Sequence, residues 1–476
     1  MELFHMPERG PEELLAVTQD GGRVRYGELL AAREALGRAG CGRELVFLLC
    51  ENTPGTLLGY LGCLLCGAVP LLLDAQISPE LLQGLIESYR PAFFLVPRDL
   101  PAQARELLPQ AGPALELRDC ALLCAGGRGP EVHPELALLL TTSGSTGSPK
   151  LVRLSGKNLQ SNASSIARYL ELTPEERPIT TLPMSYSYGM SIVNSHAEAG
   201  APLLLTRRGI LEREFWDMAA REGATSLAGV PYTYQMFRRL GLTEMDLPRL
   251  RYLTQAGGKL PPELHREFAA WAARTGRRFY IMYGQTEAGP RMGYLPPERA
   301  VEKCGAMGVA IPGGRFWLED GDGQALCGPD TAGELVYQGE NVAMGYAETA
   351  DDLRRGDEWN GVLHTGDMAR RDADGIYYIV GRKKRFVKLY GNRVSLDEVE
   401  RLLSGRFPEA EFACVGRDDL LSAYVSAPAQ GLAEEAADYL AQQTRLPRSA
   451  FRVRPVAAIP KTESGKTRYA QLSAED

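Results

Sequence analysis

Residues 138–150 read Leu-Leu-Leu-Thr-Thr-Ser-Gly-Ser-Thr-Gly-Ser-Pro-Lys, a short apolar run that breaks into a loop of hydroxyls and glycines and closes on a lysine. Gly144 and Gly147 lack a Cβ and let backbone approach a bulky anion closely. Thr142, Ser143, Ser145 and Thr146 add hydroxyl donors to the free backbone N–H groups, and Lys150 adds a positive charge. This chemistry suits the phosphates of a nucleotide. The spacing is not the Walker pattern, because no Gly-Lys-Ser/Thr follows at the required distance. Taken alone, a loop of this composition reads first as an ordinary Gly/Ser surface turn, so partners elsewhere in the chain must decide.

On both sides of this loop the sequence alternates between helical and strand-like patterns. Residues 26–40 are amphipathic, 45–50 are an apolar run of strand length, and 57–66 with 69–73 then 81–89 with 92–96 repeat a helix-then-strand unit. The alternation continues through 203–206, 212–222, 226–230, 232–240, 252–255, 261–275 and 278–282. Such a pattern predicts an α/β fold with doubly wound, mostly parallel sheets. Ligands in such sheets bind beyond the carboxyl ends of strands, where the loop would sit. From about 305 the texture changes to glycine-punctuated strands, at 333–337, 345–346 and 375–380. The expectation is therefore a large N-terminal domain, 1–381, with a small β-rich portion over about 305–381. A small mobile α+β domain, 382–476, should follow.

Composition narrows the classes. The 476 residues carry a net charge of −7, which leaves no electrostatic footprint for nucleic acid. The most apolar stretch, 57–73, is interrupted by Gly59, Gly62, Gly67 and Pro70 and reads as a buried helix and strand, so no membrane span is expected. Residues 1–13 do not have the layout of a signal peptide. Nine scattered cysteines, including Cys63 and Cys66 inside the apolar segment, read as buried thiols in a reducing cytoplasm. The five histidines are too dispersed for a metal centre.

Four further motifs complete the constellation, in order: Tyr283-Gly284-Gln285-Thr286-Glu287, His364-Thr-Gly-Asp367, Gly381-Arg382 and Pro460-Lys-Thr-Glu-Ser-Gly-Lys466. With 142–150 they give the chain a resemblance, over nearly its whole length, to the adenylate-forming superfamily of acyl-CoA synthetases, peptide-synthetase adenylation domains and beetle luciferases. The resemblance implies an enzyme that activates a small carboxylic acid with ATP and Mg²⁺ to an acyl-adenylate. The acyl group then passes to a phosphopantetheine thiol, that of CoA or of a carrier protein. It implies that 142–150 holds the β- and γ-phosphates, Thr286 contacts the α-phosphate and Glu287 binds Mg²⁺. Asp367 and Arg382 would bind the ribose or phosphate, and Gly257 and Gly258 would lie against the adenine. Lys466 would be the main catalyst of adenylation, by stabilising charge between carboxylate and phosphate. Lys384 would be the pivot of a domain rotation, and Gly391 would lie on the thiol-acceptor side.

The segment 182–189, Leu-Pro-Met-Ser-Tyr-Ser-Tyr-Gly, resembles the family's LPxxHxxG element, with Tyr186 where acyl-CoA synthetases often carry His. Peptide-synthetase domains generally place an Asp nearby to pair with an α-ammonium; Ser187 stands there instead. An ammonium buried without a carboxylate is costly, which disfavours an α-amino acid. Tyr186, Tyr188, Gly189, Val230, Tyr232, Ala288 and Gly289 are the expected pocket lining, and their tyrosines suggest a mostly apolar aliphatic or aromatic acid. The alternatives are a ligase that loads a carrier protein or an amine, and a non-catalytic nucleotide-binding regulator. Glu287, Asp367, Arg382 and Lys466 together speak against the last.

Overall fold

The computed structural model of the protein describes residues 3–110, 112–141, 150–383, 385–389, 392–417, 420–426, 431–444, 446–461 and 467–473. Its contacts divide the chain into two units, 1–315 with 337–363, and 316–336 with 364–476.

The first unit is built on an eight-stranded sheet whose centre is parallel. Strand Leu45–Cys50 pairs in parallel with Val69–Asp74 on one side and Phe93–Pro97 on the other, and Val69–Asp74 pairs with Leu136–Thr141. All six residues of Leu45–Cys50 are buried, as a strand covered on both faces requires. Its pleat divides them: Val46, Leu48 and Cys50 enter one core, while Leu45, Phe47 and Leu49 enter another. Each fully buried Leu or Phe contributes about 1.5–3 kcal/mol, so these strands anchor the unit. Helix Pro54–Cys66, capped by Thr53 and ended by Gly67 at φ 80°, packs as the buried connection expected of 57–66. Among the described residues no helix is long and apolar enough to cross a membrane.

The edges of this sheet are antiparallel. Leu136–Thr141 pairs antiparallel with Leu151–Ser155, with Thr141 opposite Leu151, and Leu151–Ser155 then pairs with Gly345–Ala347. The candidate phosphate loop between Thr141 and Lys150 lies outside the described residues. A second sheet orders Ser226–Gly229, Tyr252–Gln255 and Arg278–Gly284 in parallel, followed by antiparallel Arg291–Tyr294 and Val309–Ala310. A third, small sheet joins Leu14–Thr18, Arg23–Arg25 and Leu203–Leu205.

The second unit contains a five-stranded sheet that includes Ala332–Gln338, Val362–Arg371 and Tyr377–Arg382. It continues into the hairpin Phe386–Leu389 with Asn392–Ser395 and a three-stranded sheet covered by helices Leu396–Arg406 and Leu432–Thr444. The α/β class with a large sheet-rich part and a smaller C-terminal part matches the expectation. The glycine-punctuated strands around 316–336 and 364–382 group with the C-terminal residues.

Candidate active site

Strand Arg278–Gly284 carries Tyr283 and Gly284 to the short turn Thr286–Ala288, and Arg291–Tyr294 returns beside it with Gly284 opposite Arg291. A Cβ on Gly284 would lie 1.9 Å from the carbonyl oxygen of Pro290, so only glycine lets the chain double back this closely. The turn is held from outside its own segment. Asn341 Nδ2 donates to the carbonyls of Ala288 at 2.6 Å and Arg291 at 2.8 Å, and Asn162 Nδ2 donates to Arg291 O at 2.9 Å. Buried carbonyls satisfied in this way keep the Thr286 and Glu287 side chains in fixed positions.

Two distant segments meet those two residues, and a third packs on one of them. Ser187, first residue of helix Ser187–Ala199, places its Oγ 3.2 Å from Thr286 Oγ1. Tyr346 Oη donates to Glu287 Oε1 at 2.7 Å. Burial and the Glu287 charge both push the Tyr346 phenol well above its ordinary pKa, so it keeps its proton and stays a donor. Tyr346 stands in the strand that pairs with Leu151–Ser155, and its ring packs edge-on against Trp359 with centroids 4.9 Å apart. Lys150, at the end of the candidate phosphate loop, holds its Nζ 5.7 Å from the centre of the Tyr346 ring and 2.7 Å from Glu348 Oε1. Beneath them the fully buried Arg153 donates to the backbone oxygens of Tyr346, Met344, Arg355 and Gly356 and pairs with Glu358. It fixes the strand that presents Tyr346.

Glu287 fits a hard divalent cation. One carboxylate oxygen is oriented by Tyr346, which leaves the other available. Among the described residues no cluster of three or more His, Cys, Asp or Glu could hold a metal ion. A cation here would take its other ligands from phosphate and water, the habit of Mg²⁺.

After strand Tyr252–Gln255, Gly257 has φ 82° and brings its backbone against Tyr186; a Cβ there would lie 2.6 Å from Tyr186 Oη and 3.0 Å from Val230 Cγ1. Gly258 faces Pro231, and Gly189 packs against the Pro183 carbonyl. Ala288 and Gly289 are buried in the clamped turn, and Gln285 Nε2 lies 3.4 Å from Tyr283 Oη. Tyr188 is buried and donates to Thr254 Oγ1 at 2.8 Å. Tyr232, by contrast, is 54% exposed and does not join this lining. The buried Arg291 lies with its guanidinium carbon 4.0 Å from the centre of the Tyr188 ring.

In the second unit Asp367 and Arg382 stand opposite each other on neighbouring antiparallel strands, with Arg382 Nε 3.5 Å from Asp367 Oδ1. The basic run is paired, not merely solvated: Lys383 meets Glu334 at 2.5 Å, and Arg385 meets Asp397 at 2.5 Å and Glu400 at 2.6 Å. Thr142, Ser143, Gly144, Ser145, Thr146, Gly147, Lys384, Gly391 and Lys466 lie outside the described residues.

Sequence reasoning missed Tyr346, Asn341 and Arg291. Tyr346 and Asn341 belong to no motif and act through pairing with strands about 190 and 50 residues away. Arg291 did have a signal. It is a lone charge four residues after Glu287, on a short strand returning into a buried sheet.

A family model described as "AMP-binding enzyme" matches residues 4–347. The chain is 32% identical over 438 residues to an indoleacetate–CoA ligase of Aromatoleum aromaticum, covering 86% of this chain and 82% of that protein. It is 30% identical over 439 residues to a sulfoacetate–CoA ligase of Cupriavidus necator, covering 86% and 83% respectively. In fold it resembles the o-succinylbenzoate CoA synthetase of Bacillus subtilis solved with its acyl-adenylate intermediate, with a TM-score of 0.79 at 23% identity, covering 98% of this chain and 96% of that one.

Proposed function

The chain belongs to the AMP-binding enzyme family, and on that premise we propose which of its residues carry each part of the reaction. It is an ATP-dependent, AMP-forming acid–CoA ligase acting on a small carboxylic acid. An oxygen of the acid attacks the α-phosphorus of ATP, the bond to the bridging oxygen of the β-phosphate breaks, and pyrophosphate leaves. The CoA sulfur then attacks the acyl carbon, AMP departs with the oxygen that joined them, and the thiol proton goes to solvent.

Both first reactants are anions, so the site must neutralise charge and hold them in line. Thr142, Ser143, Gly144, Ser145, Thr146, Gly147 and Lys150 grip the β- and γ-phosphates. Thr286 donates to the α-phosphate, with Ser187 fixing its hydroxyl. Glu287 holds Mg²⁺, which when bound offsets phosphate charge; the Tyr346 hydrogen bond keeps the carboxylate turned toward it. Tyr186, Tyr188, Gly189, Val230, Ala288 and Gly289 border the acid, while Gly257, Gly258, Tyr283, Gly284 and Gln285 border the nucleotide. Asp367 accepts from ribose hydroxyls and Arg382 supports it. Lys466 places an ammonium beside the forming bond, Lys384 serves as the pivot that withdraws it, and Gly391 lies near the incoming thiol. All nine cysteines are free, which suits a cytoplasmic setting.

The single observation that carries this reading is the meeting of Ser187, Thr286, Glu287, Tyr346 and Lys150 from four separate stretches of chain. Acid-dependent ATP–pyrophosphate exchange over a panel of carboxylic acids tests it. Exchange with at least one acid is expected; its absence with every acid, given Mg²⁺ and folded protein, would overturn the reading. A carrier-protein phosphopantetheine or an amine is the alternative acceptor. Acyl-AMP that persists with CoA but clears with a loaded carrier or an amine would favour it.

A further inference from the structure

Arg291 is a guanidinium sealed in the interior, 3% exposed. Its Nη2 donates to Ser191 Oγ at 3.2 Å, its face lies against the Tyr188 ring, and the Tyr169 hydroxyl is within its reach. Its Nε is fully buried and has no hydrogen-bond partner. None of these neighbours carries a negative charge, since burial raises the Tyr169 and Tyr188 phenols, the latter to about 12. Among the described residues no carboxylate forms an ion pair with Arg291. An aromatic face eases the burial of a cation but does not supply the counter-charge it lacks.

The guanidinium borders a cavity together with Ser191, Ser195, His196, Thr254 and Met282. The cavity is small, which suits a compact headgroup and not a long chain. His196 is neutral there: burial lowers its pKa to about 4, and its Nδ1–H is committed to the Ile192 carbonyl at 2.8 Å. Arg291 is thus the cavity's one described charged residue. Tyr188 lines the cavity and is next in sequence to the Ser187 that touches Thr286. The Arg291 backbone stands against Gly284, three residues before Glu287. An acid whose carboxylate lies near Thr286 would therefore direct its far end past Tyr188 toward Arg291.

Resting on the reading of the chain as an acid ligase, we propose that its acid is short and bears a second anionic group, a carboxylate, sulfonate or phosphonate, received by Arg291 and Ser191. The planar fork of the guanidinium and the unpartnered Nε match two oxygens of such a group. The neutral hydroxyls around it would complete its hydrogen bonds without adding repulsion. This replaces the mostly apolar acid suggested by the tyrosines, since Tyr188 is a stacking partner for Arg291 and not a wall of hydrocarbon.

Direct binding tests the proposal without requiring turnover. Malonate, succinate and glutarate are titrated calorimetrically into the full chain, each beside the monoacid of equal length, propanoate, butanoate or pentanoate, together with the sulfonate analogue of each diacid. At least one doubly charged acid should bind about tenfold or more tightly than its monoacid partner. The advantage should vanish in Arg291→Met. Doubly charged acids that bind no better than monoacids to the wild-type chain would overturn the proposal. So would an Arg291→Met loss that falls equally on both members of a pair, or equal binding of chloride and phosphate, the mark of an adventitious ion only. The wild-type comparison stands even if the variant does not fold. Pyrophosphate exchange with the same panel separates the two readings. Exchange with monoacids and no diacid preference sinks the anion site and leaves the ligase, whereas Arg291-dependent diacid binding with no exchange from any acid does the reverse.

Discussion

Replacing Tyr346 with phenylalanine removes one oxygen from the site and leaves its framework standing. The lost bond is the 2.7 Å contact from the phenol to Glu287 Oε1. The ring that packs on Trp359 and lies under Lys150 is retained, as is the strand pairing of Tyr346 with Val152. A hydrogen bond to a charged acceptor contributes about 1.5–3 kcal/mol, equivalent to about a tenfold to hundredfold change in rate or affinity. Glu287 is itself part-exposed, so its freed oxygen can be rehydrated, and the expected loss lies at the lower end of that range. The loss should appear in the half-reaction that needs the cation. Pyrophosphate exchange measured across Mg²⁺ concentrations should show a raised Mg²⁺ requirement and a kcat/KM about tenfold lower at limiting Mg²⁺. Transfer of the acyl group from supplied acyl-AMP to CoA should change far less. Unchanged Mg²⁺ dependence would refute the claim that Tyr346 orients Glu287 for the metal. Equal losses in both half-reactions would point to general damage.

Three other outcomes are expected. Lys466→Ala should abolish adenylation while sparing thioester formation from supplied acyl-AMP, and equal losses would contradict a residue that leaves after the first step. Arg153→Met strands several buried carbonyls and should destabilise the first unit by about 3 kcal/mol or more, read as a lower urea midpoint for its unfolding. His196 should impose an acid-side stability loss. Its pKa falls from the ordinary 6.5 to about 4 in the folded chain, so the unfolded chain takes up a proton first as pH drops. Stability is unaffected by this group above 6.5 and declines between 6.5 and 4, by about 2 kcal/mol near pH 5. His196→Gln should flatten that decline, and an identical pH profile in the variant would refute it.

Strand 45–50 is legible because it is a compact apolar run bounded by polar or turn residues, and the structure starts and ends it at those residues. The nucleotide motifs stand out in the sequence for a related reason. Phosphate and ribose recognition needs particular small, hydroxylic or charged residues in fixed local order, and 283–287 and 364–367 keep that order. What escaped is whatever depends on distant pairing. Nothing local marks Gly345–Ala347 as the partner of Leu151–Ser155, so the role of Tyr346 could not be read. Leu14–Thr18 carries no sign that it will pair with Leu203–Leu205. The one local mark of Arg291 is its spacing from Glu287; its burial follows from the contacts of Asn162, Asn341 and the Gly284 turn with its strand. Tyr232 failed in the opposite direction: as the second residue of helix Pro231–Arg239 it faces solvent.

The decisive measurement follows an oxygen atom. Incubating the enzyme with ATP, Mg²⁺, CoA and its acid labelled with ¹⁸O in the carboxylate, then weighing the products by mass spectrometry, reports where the bond forms. Attack of the acid on the α-phosphorus places one labelled oxygen in AMP and none in pyrophosphate. Label in inorganic phosphate, with ADP as the nucleotide product, would mean attack at the terminal phosphate and would contradict adenylate formation.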